Sequence, residues 1–121
     1  MKAAKFRKIA LSLKDTIEAA HMGHPDFRVG GRIFASLHSD LLWGMVALTP
    51  DQQREFVQEY GETFVPENGA WGRSGYTKAN LALVDEDSLG RALTLARQNA
   101  IDKNTAKRPR TIRKPGKSSA P

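Results

Sequence analysis

The stretch HPDFRVGGRIFASL, residues 24–37, constrains the fold more than any other part of the chain. Proline at position 25 biases His24 away from helix. Gly30 and Gly31 then separate two apolar-rich runs, and adjacent glycines supply the positive φ values that a tight two-residue hairpin turn requires. With those glycines as the loop, Val29 faces Arg32 and Phe27 faces Phe34 on one side of the ribbon. Arg28, Ile33 and Ala35 share the other side. Both sides carry apolar groups, so the pattern predicts a hairpin but leaves open which side meets the rest of the protein.

Helical and extended patterns flank this hairpin. Phe6, Ile9, Ala10, Leu13 and Ile17 recur at helical spacing, with a weakening of the stripe near Lys14–Asp15. After a turn at HSDL, the run LWGMVAL alternates Trp43, Met45 and Ala47 against Val46 and Leu48, as a strand does. Thr49-Pro50-Asp51-Gln52 opens a helix with a capping threonine, proline at the first helical position and glutamine at the third. That helix carries Phe56, Val57 and Tyr60 on its buried stripe and stops at Gly61. TFVPE is a short strand that its proline confines to an edge or stops early. YTKANLALV is the last strand. Asp85 caps a closing helix with a stripe of Leu89, Ala92, Leu93, Ala96 and Ala100. The expected order is α-β-β-β-α-β-β-α: an α+β fold of two layers, a mostly antiparallel five-stranded sheet with helices on one face.

At 121 residues the chain accommodates one buried core. The expected division is a single domain over residues 1–105 and a basic, disordered extension over 106–121. Net charge is +6, yet residues 1–106 hold thirteen basic residues against thirteen acidic ones. The excess is confined to KRPRTIRKPGKSSAP, as Lys107, Arg108, Arg110, Arg113, Lys114 and Lys117. There is no cysteine, which excludes disulfides, thiolate metal sites and cysteine nucleophiles. No apolar run approaches a membrane span, and the first residues lack a secretory pattern. These features predict a cytoplasmic protein without membrane contact.

Several pieces resemble the MmcQ/YjbR family of small bacterial proteins. They are FRKIALSL with EAAHMGHPDFRVGGRIFASL, then LTPDQQREF, then PENGAWGRSGYTKANL followed by VDEDSL, together spanning roughly residues 6–100. The family usually has a Leu-Pro-Gly turn after its first helix and an acidic pair before the His-Pro-x-Phe strand. Here LKDTIEAA stands in place of that turn and Glu18 is the acidic survivor, so the resemblance does not fix the path of residues 13–18. It implies a secretion-chaperone-like fold and DNA binding through winged elements beside the sheet. It implies no catalytic residue.

The candidate sites follow from residue chemistry. His21, His24 and Asp26 invite a metal reading, but Gly23 and Pro25 oppose the helical spacing that would let two histidines share an ion. Asp85-Glu86-Asp87 sits where a helix start favours negative charge without any ligand. No nucleophile elbow or phosphate-binding loop is present. The expectation is therefore no catalytic residue, no metal and no cofactor. ENGAWGRSGYTKANL leads into a strand, which does not fit a dinucleotide fingerprint. Read as a loop, it offers Trp71 and Tyr76 for stacking on bases and Arg73 and Lys78 for phosphates, or else it simply turns the chain. Arg28 and Arg32 bracket the hairpin tip, which can act as a wing or as a charged edge. The six cations of the extension can follow a phosphate backbone without reading sequence.

These residues predict a non-enzymatic binder of nucleic acid, duplex DNA with low sequence specificity, acting largely through backbone electrostatics. The alternative is a protein-interaction or chaperone-like module. It would homodimerise or hold a partner through an exposed sheet face, since a two-layer fold covers only one face of the first hairpin.

Overall fold

The computed structural model describes residues 1–107. The elements run α1 (Ala3–Leu11), β1 (Ile17–His21), β2 (His24–Val29), β3 (Arg32–Leu37), β4 (Trp43–Ala47) and α2 (Pro50–Tyr60). A 3-10 turn at Gly61–Thr63 leads to β5 (Phe64–Pro66), α3 (Gly69–Arg73), β6 (Tyr76–Asn80) and α4 (Glu86–Lys107). Among the described residues the strands form one six-stranded sheet, order β1-β2-β3-β4-β6-β5. Every neighbouring pair is antiparallel. The α+β, two-layer expectation holds; the strand count was short by one.

The missing strand is β1. Its sequence, IEAAH, has the composition of a helix, and the apolar stripe of α1 runs into it. The helix instead ends at Leu11, and Asp15 takes a positive φ of 61° on the way to the strand. Pairing with β2 makes β1 extended whatever its local preference, in the register Ile17↔Arg28 to His21↔His24. Arg7 holds Glu18 at 3.0 Å, tying α1 to the new strand.

The hairpin turn is as expected, with φ of 59° at Gly30 and 81° at Gly31. Its register is not. Val29↔Arg32 and Arg28↔Ile33 pair, but Phe27 then pairs with Ala35 and leaves Phe34 as an extra residue on β3. This bulge corrects the simple alternation and has a clear cause. Without it Ser36 would enter the core and Leu37 would point away from it. With it Phe34, Ala35 and Leu37 are all buried, and Ser36 joins Asp26 on the opposite face.

Helices α1, α2 and α4 cover one face. Phe6 of α1 packs on Phe27, with ring centroids 5.9 Å apart, and lies directly over Gly44 of β4. Phe56 of α2 meets Phe64 of β5 edge to face at 5.0 Å. The α4 stripe is buried as expected, at Leu89, Ala92, Leu93, Ala96 and Ala100. Both helix starts follow the sequence signals. Thr49 and Gln52 exchange the two hydrogen bonds of a capping box, 3.1 and 3.0 Å. Asp85 accepts from the Ser88 amide at 2.8 Å. Strand β5 is the sheet edge on its side, and β6 ends at Asn80, four residues before the apolar run does.

Candidate binding groove on the open sheet face

Strand alternation decides what the uncovered face displays. Phe27, Leu37, Val46 and Ala79 point to the helices, so Asp26 and Arg28 of β2, Ile33 and Ser36 of β3, Met45 of β4 and Tyr76 of β6 point away. Glu67 and Trp71, from the segment between β5 and β6, meet these residues from one side, and Asn104 of α4 meets them near the hairpin tip. With His24, Gly31 and Arg32 they line a cavity of about 670 Å³.

Most charged groups at this groove are held by partners within the fold. Arg28 grips Asp26 through two bonds, Nε to Oδ1 at 2.8 Å and an Nη to Oδ2 at 3.1 Å. Asp26 is only 1% exposed, so the pair answers the desolvation that burial would impose on a lone carboxylate. Its hydrogen bond raises the Arg28 pKa further above its ordinary value, and the guanidinium stays charged. His38, just past β3, bonds Glu67 through Nε2 at 2.8 Å. That contact reaches across the two strands between β3 and β5. Arg32 donates from Nε to Asn104 at 3.2 Å, and the Asn104 amide donates to the carbonyls of Val29 and Gly30 at 3.3 and 3.4 Å.

Aromatic rings form the rim. Trp71 is 65% exposed and meets Tyr76 edge to face, centroids 4.9 Å apart at 80°. Lys103 of α4 lies 5.9 Å from the Tyr76 centroid, and Lys78 lies 4.9 Å from that of Trp43. Both are within range for cation–π attraction.

The glycine-rich segment is more ordered than a plain loop. It folds as α3, a single short turn of helix whose Gly72 lies directly over the Glu67 carbonyl. Gln53 of α2 fixes it from below, donating to the carbonyls of Gly72 and Tyr76 at 3.0 and 3.1 Å. Glu67 and Trp71 are therefore presented by a braced turn.

Of the residues singled out in the sequence, Arg28, Arg32, Trp71 and Tyr76 come together in the groove. Lys78 shares the same sheet face but sits on Trp43, and Arg73 is exposed at the end of α3. The hairpin tip is no free-standing wing: Asn104 of α4 holds its backbone carbonyls. Lys107 closes α4 as its last backbone position, while Arg108, Arg110, Arg113, Lys114 and Lys117 lie outside the described residues. Sequence reading missed Ser36, Met45, Glu67 and Asn104. Asp26 was legible only as an acidic neighbour of His24, although its i, i+2 spacing from Arg28 in a strand places both on one face.

His21 and His24 flank the Met22–Gly23 turn as the last pair of β1 and β2. Among the described residues no three His, Asp or Glu side chains are grouped to hold a metal ion. The acidic triplet serves the fold. Asp85 caps α4, and the Ser88 amide and hydroxyl it accepts from hold its carboxyl below the ordinary value. Glu86 pairs with Lys5 of α1 at 2.6 Å. No helix among the described residues is long and apolar enough to cross a membrane.

No family model matches this sequence, and no curated protein matches it. Among solved structures, the fold is similar to that of Deinococcus radiodurans protein DR2400, which carries a DUF419 domain. The TM-score is 0.73 at 18% identity, covering 92% of this chain and 86% of that one.

Proposed function

We propose that this protein is a non-enzymatic nucleic-acid-binding module of the MmcQ/YjbR type, holding its ligand largely through backbone electrostatics. One observation carries this most. Arg28, Arg32, Trp71 and Tyr76, drawn from β2, β3, α3 and β6, line one groove on the face that the helices leave uncovered. Cations and aromatic rings side by side are what a polyanion bearing flat bases requires. Helix α4 supports the same reading, because Asn104 lies at the groove and the six-cation segment begins three residues later. Cations there would join the groove to a phosphate backbone.

Fluorescence anisotropy with a mixed-sequence DNA duplex tests this. Binding at low ionic strength should weaken steeply with salt, the log–log slope approaching about −5 if six cations meet phosphates. Removing residues 107–121 should abolish most of the affinity. Absence of binding by the full-length protein at low salt refutes the proposal.

A protein-interaction module is the second reading, favoured by Ile17, 59% exposed on the same open face and on an edge strand. Sedimentation across a wide concentration range separates the two: self-association through this face favours the second.

A further inference from the structure

We infer that the groove receives a single unpaired base, so that the protein prefers single-stranded nucleic acid to duplex. This rests on the nucleic-acid reading above and names what the groove itself takes. Shape is the first reason. Proteins read a duplex by inserting a helix or a two-stranded ribbon into a groove about 12 Å wide. The ribbon available here, the β2–β3 hairpin, has its tip held down on α4, and the face beside it is recessed. A recess of about 670 Å³ has room for a base with its sugar, whereas a duplex keeps its bases stacked and paired and could offer this recess only its backbone. A base that is unpaired, or swung out of its stack, does enter such a recess.

Charge is the second reason, and it places the parts of the nucleotide. Two guanidinium groups, Arg28 and Arg32, line the groove against two carboxylates, Asp26 and Glu67. A phosphate entering would find the two carboxylates cancelling the two guanidinium groups and so gain little net attraction, whereas a neutral base needs none. Lys103 stands by Tyr76 at the rim, and Lys78 lies on Trp43 of the same sheet face, where the sugar–phosphate chain would pass. Base inside and phosphates at the rim is the arrangement this balance favours.

The third reason is the indole. Trp71 is 65% exposed although it is braced, and its edge-to-face contact with Tyr76 engages at most one of its two faces. An exposed tryptophan held on a fixed turn supplies stacking area with little left to order. The guanidinium of Arg28, only partly covered by its fork to Asp26, and the Ser36 hydroxyl offer polar contacts to the edge of a stacked base.

The test uses full-length protein and three labelled DNAs of about a dozen nucleotides: a mixed-sequence single strand, its duplex, and a single strand lacking its central bases. The intact single strand should bind about tenfold more tightly than either of the others, the effect of one base–aromatic stack. Trp71→Ala should erase that preference while leaving the circular dichroism spectrum and urea midpoint unchanged. Lys78→Ala should weaken all three DNAs alike. If the three bind equally and removal of residues 107–121 abolishes all binding, the groove inference is overturned while the electrostatic proposal stands. If none binds at low salt, both fall. A single-strand preference that survives Trp71→Ala and Tyr76→Ala also overturns the inference.

Discussion

Replacing Gly44 with alanine should destabilise the protein through one contact, and a second substitution should relieve it. Gly44 lies on β4 with its α-carbon facing α1. A β-carbon there would stand 2.9 Å from Cζ and 3.0 Å from Cδ2 of Phe6, and closer still to Cε2. Carbon atoms rest at about 3.5–4.0 Å, so the ring would have to retreat by roughly 1 Å. It has nowhere to go: Phe6 is fully buried and already packs on Phe27. Overpacking of this kind costs about 1–3 kcal/mol, and the tight fit places Gly44→Ala near 2 kcal/mol. For a domain of this size that is a fall of roughly 8 °C in Tm. Phe6→Leu alone should cost about 1–2 kcal/mol, less than the full truncation of a buried phenylalanine. Together the two should cost less than their sum by about 1–2 kcal/mol, because the smaller side chain vacates the space the methyl needs. Urea unfolding followed by circular dichroism measures all three variants. A loss below about 0.5 kcal/mol for Gly44→Ala, or simple additivity in the double variant, refutes the reasoning.

Thr49→Ala removes one half of the α2 capping box and should lower stability by about 1 kcal/mol in the same urea assay, with no effect on nucleic-acid binding. Gly72→Ala should drive the α3 turn off the Glu67 carbonyl and displace Trp71. Amide shifts should then be confined to the region around residues 66–77, and any single-strand preference should fall to the level of Trp71→Ala. Asp85 bears on acid stability. Its folded-state pKa lies below the ordinary 3.8, so its contribution is present above that value and lost as pH falls through the lower one. Asp85→Asn retains a capping oxygen but does not titrate, so the urea midpoint should fall less steeply with acid than in the parent protein.

How far the sequence disclosed this molecule depends on whether the deciding force was local. The capping box, the Gly30-Gly31 turn, the edge position of β5 and the α4 stripe are set by neighbours in the chain, and all were readable. Strand β1 was not, because IEAAH becomes extended only through its pairing with β2. The Phe34 bulge was hidden for a similar reason: Leu37 and Ser36 exchange faces in response to the core, which no two-residue period reveals. At the site, Arg28, Arg32, Trp71 and Tyr76 were visible as single residues with suitable chemistry. Their meeting in one recess depends on the strand order β3-β4-β6-β5, and so do the partners Glu67 and Asn104.

The extra residue at Phe34 has a practical consequence for anyone wishing to redesign the open face of the sheet. Outward positions on β3 do not fall on a single odd or even series; they switch phase at the bulge, from Ile33 before it to Ser36 after it. A randomised library drawn up by straightforward alternation would therefore diversify the groove in one half of the strand and scramble the hydrophobic interior in the other.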